Sequence, residues 1–320
     1  MKHIQAFLLA SLTGLAACSA QAQGFHPTRP VTLVVGFSAG GANDRVAREI
    51  GQRLGNLWHQ SVIVENKSGA SGAIAAASVA RSTPDGLRLL VGPVTLTMLP
   101  AVQKNLPFDL KQDLAPVGLI AKSPIALTVS RQLDVADLQG FLALAKSRQL
   151  FAGTTGPGAV DYFGSQLLMA KAGIDLQDIA YRGGPELLAD LMENRVNMSM
   201  SSATTVAPHA QGGKLKVLAV TGTARSSVLP SVPTFSEQGI PDLDIDQWWG
   251  LFAPAGTPPQ AIDGINGDLR KVLGDPGLQQ AFAADGAVAA PMTVAEFDGF
   301  VAQQLANWES VARRTHAAQR

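Results

Sequence analysis

The chain has 320 residues, 46% of them hydrophobic and 16% charged, so it carries enough apolar material for a globular core. At about 100–200 residues per domain, this length predicts two domains. The 25 basic and 25 acidic residues balance to a formal net charge of zero, and no run of Lys or Arg occurs. Since a nucleic-acid binder needs a basic face, the composition argues against nucleic acid as a partner.

Residues 1–22 have the pattern of a signal peptide: a basic start, an apolar stretch over residues 4–17 and the small-residue sequence Ala20-Gln21-Ala22. Cleavage after Ala22 predicts an exported, periplasmic protein without cysteine, which excludes an intramolecular disulfide and thiol catalysis. The alternative is a bacterial lipobox ending at Cys18, which would then be lipidated. No later segment reaches the roughly 18 consecutive apolar residues of a membrane span.

Short apolar strands alternate with helical patterns along the rest of the chain. The pattern predicts strands at 31–37, 61–66, 87–92, 115–121, 125–130, 150–153, 179–183, 196–200 and 215–220. Val46, Ile50 and Leu54 fall on one face of the first helix, and a stripe from Phe297 to Trp308 predicts a buried face on the last one. Apolar strands separated by helices predict an α/β fold with mostly parallel sheets covered on both faces.

A glycine-containing loop leads from the first predicted strand into the first helix. Gly40 and Gly41 lack Cβ atoms, so their backbone N–H groups can approach a ligand closely. Asn43 or Asp44 can cap the helix, whose N-terminus has a partial positive charge. The pattern predicts an anion-binding loop made of backbone, or alternatively a tight turn without a ligand. The chain contains neither GxxxxGK[ST] nor GxGxxG, so nucleotide binding is not supported.

A second loop of the same kind follows the strand at 150–153. Its sequence, Thr154-Thr155-Gly156-Pro157-Gly158, leads into another helix. Two such loops in separate parts of the chain predict two helix N-termini that face each other across a cleft. The alternative is that this segment is only a surface loop between a strand and a helix.

Other candidate chemistry finds little support. The five histidines are neither paired in sequence with a nucleophile nor at metal-ligand spacing, so we expect no catalytic residue, metal or cofactor. Asp242, Asp244 and Asp246 suggest calcium, but the glycine and distal Glu of an EF-hand loop are missing, and a solvated strand face is the better interpretation. Trp248 and Trp249 either line the cleft or pack where the chain recrosses between domains.

Several ordered segments carry a resemblance to a known family. They are RPVTLVVGFSAGGANDRVAREIGQRLG, SVIVENKSGASGAIAAASVARSTPDGLRLLVG, LPFDLKQDLAPVGLIAKSP, AYRGGPELLADLMENRV, PHAQGGKLKVLAV and VPTFSEQGIPDLDIDQWWGLFAPAGTP. Together they resemble the Bug-type periplasmic solute-binding proteins of tripartite tricarboxylate transporters. The similarity covers essentially the whole mature chain, in order and at the expected spacing.

The resemblance implies a type II periplasmic-binding-protein fold, in which two α/β domains close over a ligand cleft. Residues 23–122 with 226–320 would form domain 1 and residues 123–225 domain 2, with a hinge near 122–125 and 221–226. It also implies a monomeric receptor that captures a small carboxylate and delivers it to membrane transporter subunits or a sensor ectodomain. The alternative is an exported α/β hydrolase or transferase.

The resemblance also supplies candidate ligand-binding residues. These are Phe37, Ser38, Ala39, Gly40, Gly41, Asn43 and Asp44 in the first loop, Thr154, Thr155, Gly158, Ala159 and Asp161 in the second, and Thr95, Tyr181, Gly183 and Ser201 elsewhere. Gly40 and Gly41 would donate their N–H groups to a carboxylate, Phe37 would form an apolar wall, and Asp44 would brace the loop.

The chain departs from the family pattern at the far end of the expected cleft. Ala159, Val160 and Tyr162 stand where the family often has hydroxyl residues and a histidine, and Ser201 replaces a common aspartate. We therefore expect a far end that is less charged and offers apolar or aromatic surface, which disfavours citrate-type ligands. Asp161 would face either the cleft, favouring an amine or hydroxyl group on the ligand, or solvent.

Overall fold

The computed structural model describes residues 25–241, 243 and 245–314. The signal-peptide and lipobox predictions and the side chains of Asp242 and Asp244 lie outside these residues. The strands are β1 Val31–Val35, β2 Val62–Asn66, β3 Arg88–Pro93, β4 Leu114–Ser130, β5 Leu150–Thr154, β6 Leu176–Ala180, β7 Met198–Ser202, β8 Leu215–Val220, β9 Asp246–Pro254 and β10 Val288–Ala289. The helices are α1 Ala42–Trp58, α2 Ala73–Ala80, α3 Thr95–Val102, α4 Leu110–Asp113, α5 Leu138–Ser147, α6 Val160–Ala172, α7 Gly184–Met192, α8 Ala203–Gln211, α9 Pro259–Leu273, α10 Pro276–Ala284 and α11 Val294–Arg314.

The strands form one continuous path in the order β2-β1-β3-β9-β4-β7-β5-β6, with β8 and β10 also paired to β4. We call the part built on β1, β2, β3, β9 and β10 the first half, and the part built on β5 to β8 the second half. In the first half β1 pairs in parallel with β2 and β3, and in the second β5 pairs in parallel with β6 and β7. This mixed α/β architecture in two halves confirms the predicted fold class.

The long strand β4 corrects the prediction of separate strands at 115–121 and 125–130. It pairs with β9 up to Pro124, with β7 from Ile125 onwards and with β8 from Ala126 onwards. Pro124 therefore lies where the strand changes partners, a position that tolerates its missing N–H. These central pairs are antiparallel, so only the outer strands of each half fit the expectation of parallel sheets. Of β9 only the first residue, Asp246, falls in the strand face suggested for the aspartates, and β10 was not predicted as a strand.

Two segments cross between the halves side by side. The N–H of Ile125 donates to Thr221 Oγ1 at 2.8 Å, and the N–H of Thr221 donates to the carbonyl of Ile125 at 2.8 Å. The segments predicted as the hinge, 122–125 and 221–226, are thus joined to each other. β9 adds a third crossing where Asp246 pairs with Pro124. The domain boundaries themselves stay a prediction; after β8 the chain still lies beside the second half, where the N–H of Phe235 donates to Val220.

The buried faces of the helices follow the predicted stripes. Val46, Ile50 and Leu54 are at most 5% exposed on α1. On α11, Trp308 packs against Phe163 of α6 with ring centroids 5.4 Å apart, so the last helix contacts the second half as well as the first. Among the described residues, no helix has the length and apolar character needed to span a membrane.

Trp248 and Trp249 are buried on the crossing strand β9, at 1% and 0% exposure. The ring of Trp248 contacts Phe297 and Phe300 of α11. Of the two interpretations of this pair, core packing where the chain recrosses is the one confirmed.

Candidate ligand-binding cleft

The candidate residues follow the carboxyl ends of strands in both halves. The first loop leaves β1, Thr95 follows β3, the second loop leaves β5, Tyr181 and Gly183 follow β6, and Ser201 lies near the end of β7. Parallel strands bring their carboxyl ends to one edge of a sheet, which is where ligands bind in α/β folds. Each half therefore presents one edge with loops and helix N-termini.

Asp44 braces the first loop from inside the helix. Its side chain is buried and accepts hydrogen bonds from the N–H of Gly40 at 2.9 Å, from Arg48 Nε at 2.9 Å and from Asn66 Nδ2 at 3.0 Å. Burial acts to raise the pKa of Asp44, but the hydrogen bonds from Arg48, Gly40 and Asn66 outweigh it and hold the pKa below its ordinary value. The carboxylate is therefore charged at neutral pH and ties the loop to α1 and β2.

The start of α1 carries no side-chain cap, which differs from the expectation for Asn43 and Asp44. The N-cap residue is Gly41, in extended conformation, and no side chain accepts a hydrogen bond there. Asn43 Oδ1 instead accepts a hydrogen bond from Trp249 Nε1 at 2.6 Å, while Asp44 turns back to the loop. Because the first N–H groups of a helix have no intrahelical acceptor, those of α1 remain available to a ligand or water.

The two glycines of this loop have different roles. Gly40 has φ of 82°, a conformation that favours glycine, and its N–H is already donated to Asp44. Gly41 has φ of −78°, and the loop hydrogen bond to Asp44 comes from Gly40 and not from Gly41. A Cβ on Gly40 would meet no atom within 4 Å, and one on Gly41 only Ser38 O at 3.5 Å, so open space lies in front of both. The Gly41 N–H is therefore the better placed of the two candidate donors.

The second loop has a carboxylate brace of its own. Asp161 accepts hydrogen bonds from the N–H of Thr155 at 3.0 Å, from its hydroxyl at 2.9 Å and from the N–H of Tyr162 at 2.8 Å. The N–H of Gly156 donates to Thr154 Oγ1 at 3.2 Å, so the Thr154 hydroxyl also serves the loop itself. The conformation of the second loop is therefore fixed by the side chains of Thr154, Thr155 and Asp161.

Asp161 is only 6% exposed, which contradicts the solvent-facing orientation, and its carboxylate bonds to Thr155 and Tyr162 of its own loop. Burial, with a smaller contribution from the nearby Asp178, raises the pKa of Asp161 to about 6 against the opposing hydrogen bonds from Thr155 and Tyr162. The carboxylate turns inwards because the Thr155 donors lie within reach one turn before the helix.

The other candidates of the second half are also engaged within the protein. The Tyr181 hydroxyl donates to Asp190 at 2.9 Å, and burial, followed by this carboxylate, raises the pKa of Tyr181 to about 12. Tyr162, expected as aromatic surface of the cleft, is 4% exposed and contacts Phe163 edge to face. Ser201 Oγ lies 3.0 Å from Ser199 Oγ. Ala159 is 2% exposed.

The remaining candidates lie on turns beside the two loops. Gly183 is the N-cap residue of α7 and has extended backbone, and Thr95 begins α3 with its hydroxyl donating to Ser71 O at 3.3 Å. In the first loop Ser38 and Ala39 are exposed, and Phe37 is partly buried against the core of the first half. Phe37 thus keeps part of its ring at the loop surface.

Two contacts show that the loop edges of the halves face each other. Gly158 lies so close to α3 that a Cβ there would be 2.7 Å from Leu99 Cδ2. Arg45 of α1 donates from Nη2 to the carbonyl of Thr204, in α8 of the second half, at 3.3 Å. The loops that follow β1, β3, β5 and β7 in the two halves therefore lie against each other.

Asn66 joins the end of β2 to the first loop and was not among the predicted residues. Its amide Nδ2 donates to the carbonyl of Phe37 at 3.0 Å as well as to Asp44. The signal was present in NKSGASG directly after β2, where Ala70 and Ser71 adopt positive φ of 48° and 52°. In the sequence analysis this segment supported the family resemblance, but none of its residues was predicted to contact the first loop.

Within the described ranges, no group of three or more His, Cys, Asp or Glu side chains is placed to hold a metal ion. The calcium alternative rests on Asp242 and Asp244, whose side chains lie outside those ranges. Asp246 itself begins β9 and pairs with Pro124.

Comparisons with known proteins give a consistent result. Residues 46–316 match the family described as tripartite tricarboxylate transporter family receptor. A UPF0065 protein of Bordetella bronchiseptica is 34% identical over 272 residues, which cover 85% of this chain and 81% of that protein. The structure of Rpa4515 from R. palustris with adipate superposes with a TM-score of 0.87 at 31% identity, covering 91% of this chain and 98% of the other.

The periplasmic binding protein BugD superposes with a TM-score of 0.86 at 28% identity, covering 91% of this chain and 99% of BugD. The matching family is one of periplasmic binding receptors and not of enzymes, which confirms the expectation of binding without turnover and removes the hydrolase or transferase alternative. The chain belongs to the Bug-type family of tripartite tricarboxylate transporter receptors.

Proposed function

We propose that this protein is a periplasmic receptor that captures a small carboxylate between its two halves as a monomer. It delivers this ligand to the membrane subunits of a tripartite tricarboxylate-type transporter or to a sensor ectodomain. The observation that carries the proposal is the start of α1, which has no side-chain cap. Asp44 fixes the loop in front of it through the N–H of Gly40, and the space beside Gly41 is open to a ligand. Support comes from Rpa4515, a relative whose structure contains adipate.

The first loop binds one carboxylate of the ligand through the N–H groups at the start of α1. The end of a helix contributes about 0.3–2 kcal/mol to such binding, whereas micromolar affinity requires about 8 kcal/mol. Most of the affinity therefore comes from hydrogen bonds and enclosure by the second half. The Asp161 carboxylate is engaged by Thr155 and Tyr162 is buried, so the arguments for an amine or hydroxyl partner of Asp161 and for an aromatic far end lose their support.

Adipate and benzoate are suitable probes, since they share one carboxylate and differ at the other end. Calorimetry and thermal shift on the purified protein measure both, because a ligand that binds only the folded state raises the melting temperature. The proposal expects saturable binding of a carboxylate and no chemical change in it. Failure of adipate, benzoate and a wider set of mono- and dicarboxylates to bind contradicts it.

Gly41→Val is the sharpest test of the first loop. The backbone of Gly41 accepts a β-branched residue without strain, and the added methyl groups enter the open space in front of the helix start. We expect loss of carboxylate binding with an unchanged circular dichroism spectrum. Gly267→Val on the exposed side of α9, where no atom lies within 4 Å, is the matched control. Unchanged affinity of Gly41→Val removes this loop from the binding site.

Binding is also expected to close the halves about the joined crossing segments near Ile125 and Thr221. Small-angle X-ray scattering with and without saturating ligand measures this as a smaller radius of gyration. An identical radius of gyration in both states contradicts closure.

A further inference from the structure

Arg45 makes contacts in both halves at once. Its Nη1 donates to the carbonyl of Gly40 at 3.1 Å, and its Nε donates to Asp285 Oδ2 at 2.9 Å, both within the first half. Its Nη2 donates to the carbonyl of Thr204 in the second half at 3.3 Å. One guanidinium therefore connects the first ligand loop, the end of α10 and the first turn of α8.

The surroundings of Arg45 form a close seam between the halves. The turn at Asp285 and Gly286, which binds Arg45, is itself fixed to the crossing strand β4. Ser123 Oγ of that strand donates to the carbonyl of Gly286 at 3.0 Å. A Cβ on Gly286 would lie 2.5 Å from Val228 Cγ2, so the backbone there touches the second half directly. The cavity beside Arg45, lined also by Thr204 and Asp285, is small, at about 10 Å³.

A second arginine on the same helix shows what is special about Arg45. Arg53 also pairs with α10, through Asp275 at its N-terminal end at 3.2 Å, and with Glu49 at 2.6 Å. All contacts of Arg53 in the described chain stay within the first half. The two arginines therefore share their helix, their charge and a partner on α10, and differ in the contact across the seam.

We infer that Arg45 is a positioning residue that latches the closed arrangement and couples it to the first ligand loop. Asp285 orients the guanidinium, whose fixed set of N–H donors then holds the Gly40 and Thr204 carbonyls at the same time. Opening the cleft removes the Thr204 contact and loosens the hold on Gly40. The ion pair is half-exposed on both sides and contributes little by itself, so the effect of Arg45 lies in the orientation of these contacts.

The test measures opening of the cleft without any ligand, so it remains decisive if the proposed carboxylate function fails. Cys18, the sole cysteine, lies in the predicted signal peptide. Spin labels are attached to Lys271→Cys on α9 and Ala189→Cys on α7, both exposed positions in opposite halves. Pulsed electron spin resonance then gives the distribution of distances between the halves for the parent, Arg45→Ala and the matched control Arg53→Ala.

We expect Arg45→Ala to shift the population towards longer distances, by about tenfold in the open-to-closed ratio, as for loss of a hydrogen bond from a charged group. Arg53→Ala superposes on the parent. Arg45→Lys keeps the charge but lacks the planar set of guanidinium donors, so we expect its open-to-closed ratio to lie between those of the parent and Arg45→Ala. It replaces Arg45→Ala as the test variant if Arg45→Ala folds poorly. Distance distributions of Arg45→Ala and Arg45→Lys equal to that of the parent overturn the inference.

The link to binding rests on the proposed function and is measured separately. If adipate binds the parent protein, Arg45→Ala releases it about tenfold faster in stopped-flow experiments while Arg53→Ala releases it at the parent rate. Equal release rates for the parent and Arg45→Ala, together with a shifted distance distribution, overturn the coupling to the ligand loop and leave the latch.

Discussion

The two glycine loops use the same brace in different electrostatic surroundings. In each, an aspartate in the first turn of a helix accepts the backbone N–H of a loop residue: Gly40 for Asp44 and Thr155 for Asp161. Asp44 has Arg48 as a partner, whereas the hydrogen-bond donors to Asp161 are neutral and Asp178 lies nearby. The pKa of Asp44 is lowered, and that of Asp161 is raised to about 6.

The comparison shows that the same local geometry gives two loops with different pH responses. The brace of the first loop stays charged across the neutral range, because its cation offsets burial. The brace of the second loop changes protonation just below neutrality, because the neutral donors of Thr155 and Tyr162 do not offset its burial. The following predictions test whether this difference governs stability and binding.

The largest effect is expected for Asp161→Asn. The folded-state pKa of about 6 lies above the ordinary value of 3.8, so between about pH 4 and 6 the unfolded chain releases its proton first and stability falls as pH rises. Above about pH 6 the charged Asp161 destabilises the fold by up to about 3 kcal/mol relative to acid. The neutral amide keeps the acceptor and removes this loss. Urea unfolding at pH 4 and pH 8 measures it; a constant difference between parent and variant at both pH values contradicts the assignment.

Asp44→Asn is expected to act in the opposite direction. The lowered pKa means that the charged form of Asp44 stabilises the fold at neutral pH, and this contribution is lost as pH falls through the folded-state pKa below 3.8. The amide is a weaker acceptor for Gly40 and Arg48, so we expect a loss of about 2 kcal/mol at pH 7. Urea unfolding checks it. A variant as stable as the parent at pH 7 shows that the charge on Asp44 is not what holds the loop.

A pair of glycine substitutions separates backbone strain from contact between the halves in the second loop. Gly156 and Gly158 both have positive φ, 98° and 90°, but a Cβ on Gly156 meets nothing within 4 Å whereas one on Gly158 meets Leu99 Cδ2 at 2.7 Å. Alanine at either position adds similar strain. Only Gly158→Ala also pushes against α3, so we expect it to weaken carboxylate binding about tenfold more than Gly156→Ala, or about 1.4 kcal/mol by calorimetry. Equal losses for both variants contradict the contact.

The smallest effect is expected for Tyr181→Phe. Since the hydroxyl donates to Asp190, its removal lowers the free energy of unfolding by about 1 kcal/mol and leaves ligand affinity unchanged. Unfolding and calorimetry on the same preparation distinguish the two. A clear loss of ligand affinity in Tyr181→Phe would show that the Tyr181 hydroxyl contacts the ligand.

Features that depend on neighbouring residues were predictable from the sequence. The sequence of apolar strand, glycine loop and helix placed both candidate loops correctly, and the spacing of Val46, Ile50 and Leu54 identified the buried face of α1. Local patterns suffice here because side-chain direction along a helix or strand follows from backbone geometry alone. The resemblance, carried by an ordered set of segments, supplied the pairing of the halves.

What only the tertiary structure decided are the directions of side chains that bond to distant parts of the chain. Asp44 meets Asn66 and Asn43 meets Trp249, partners 22 and 206 positions away, and Arg45 reaches Thr204 across the seam, 159 positions away. The union of two predicted strands into β4 likewise depends on β9, β7 and β8 pairing along it. The sequence left two orientations open for Asp161, and its burial against Thr155 instead of solvent was decided by donors that come within reach only once the loop has folded. These contacts have no local signature, since each one is created by folding itself.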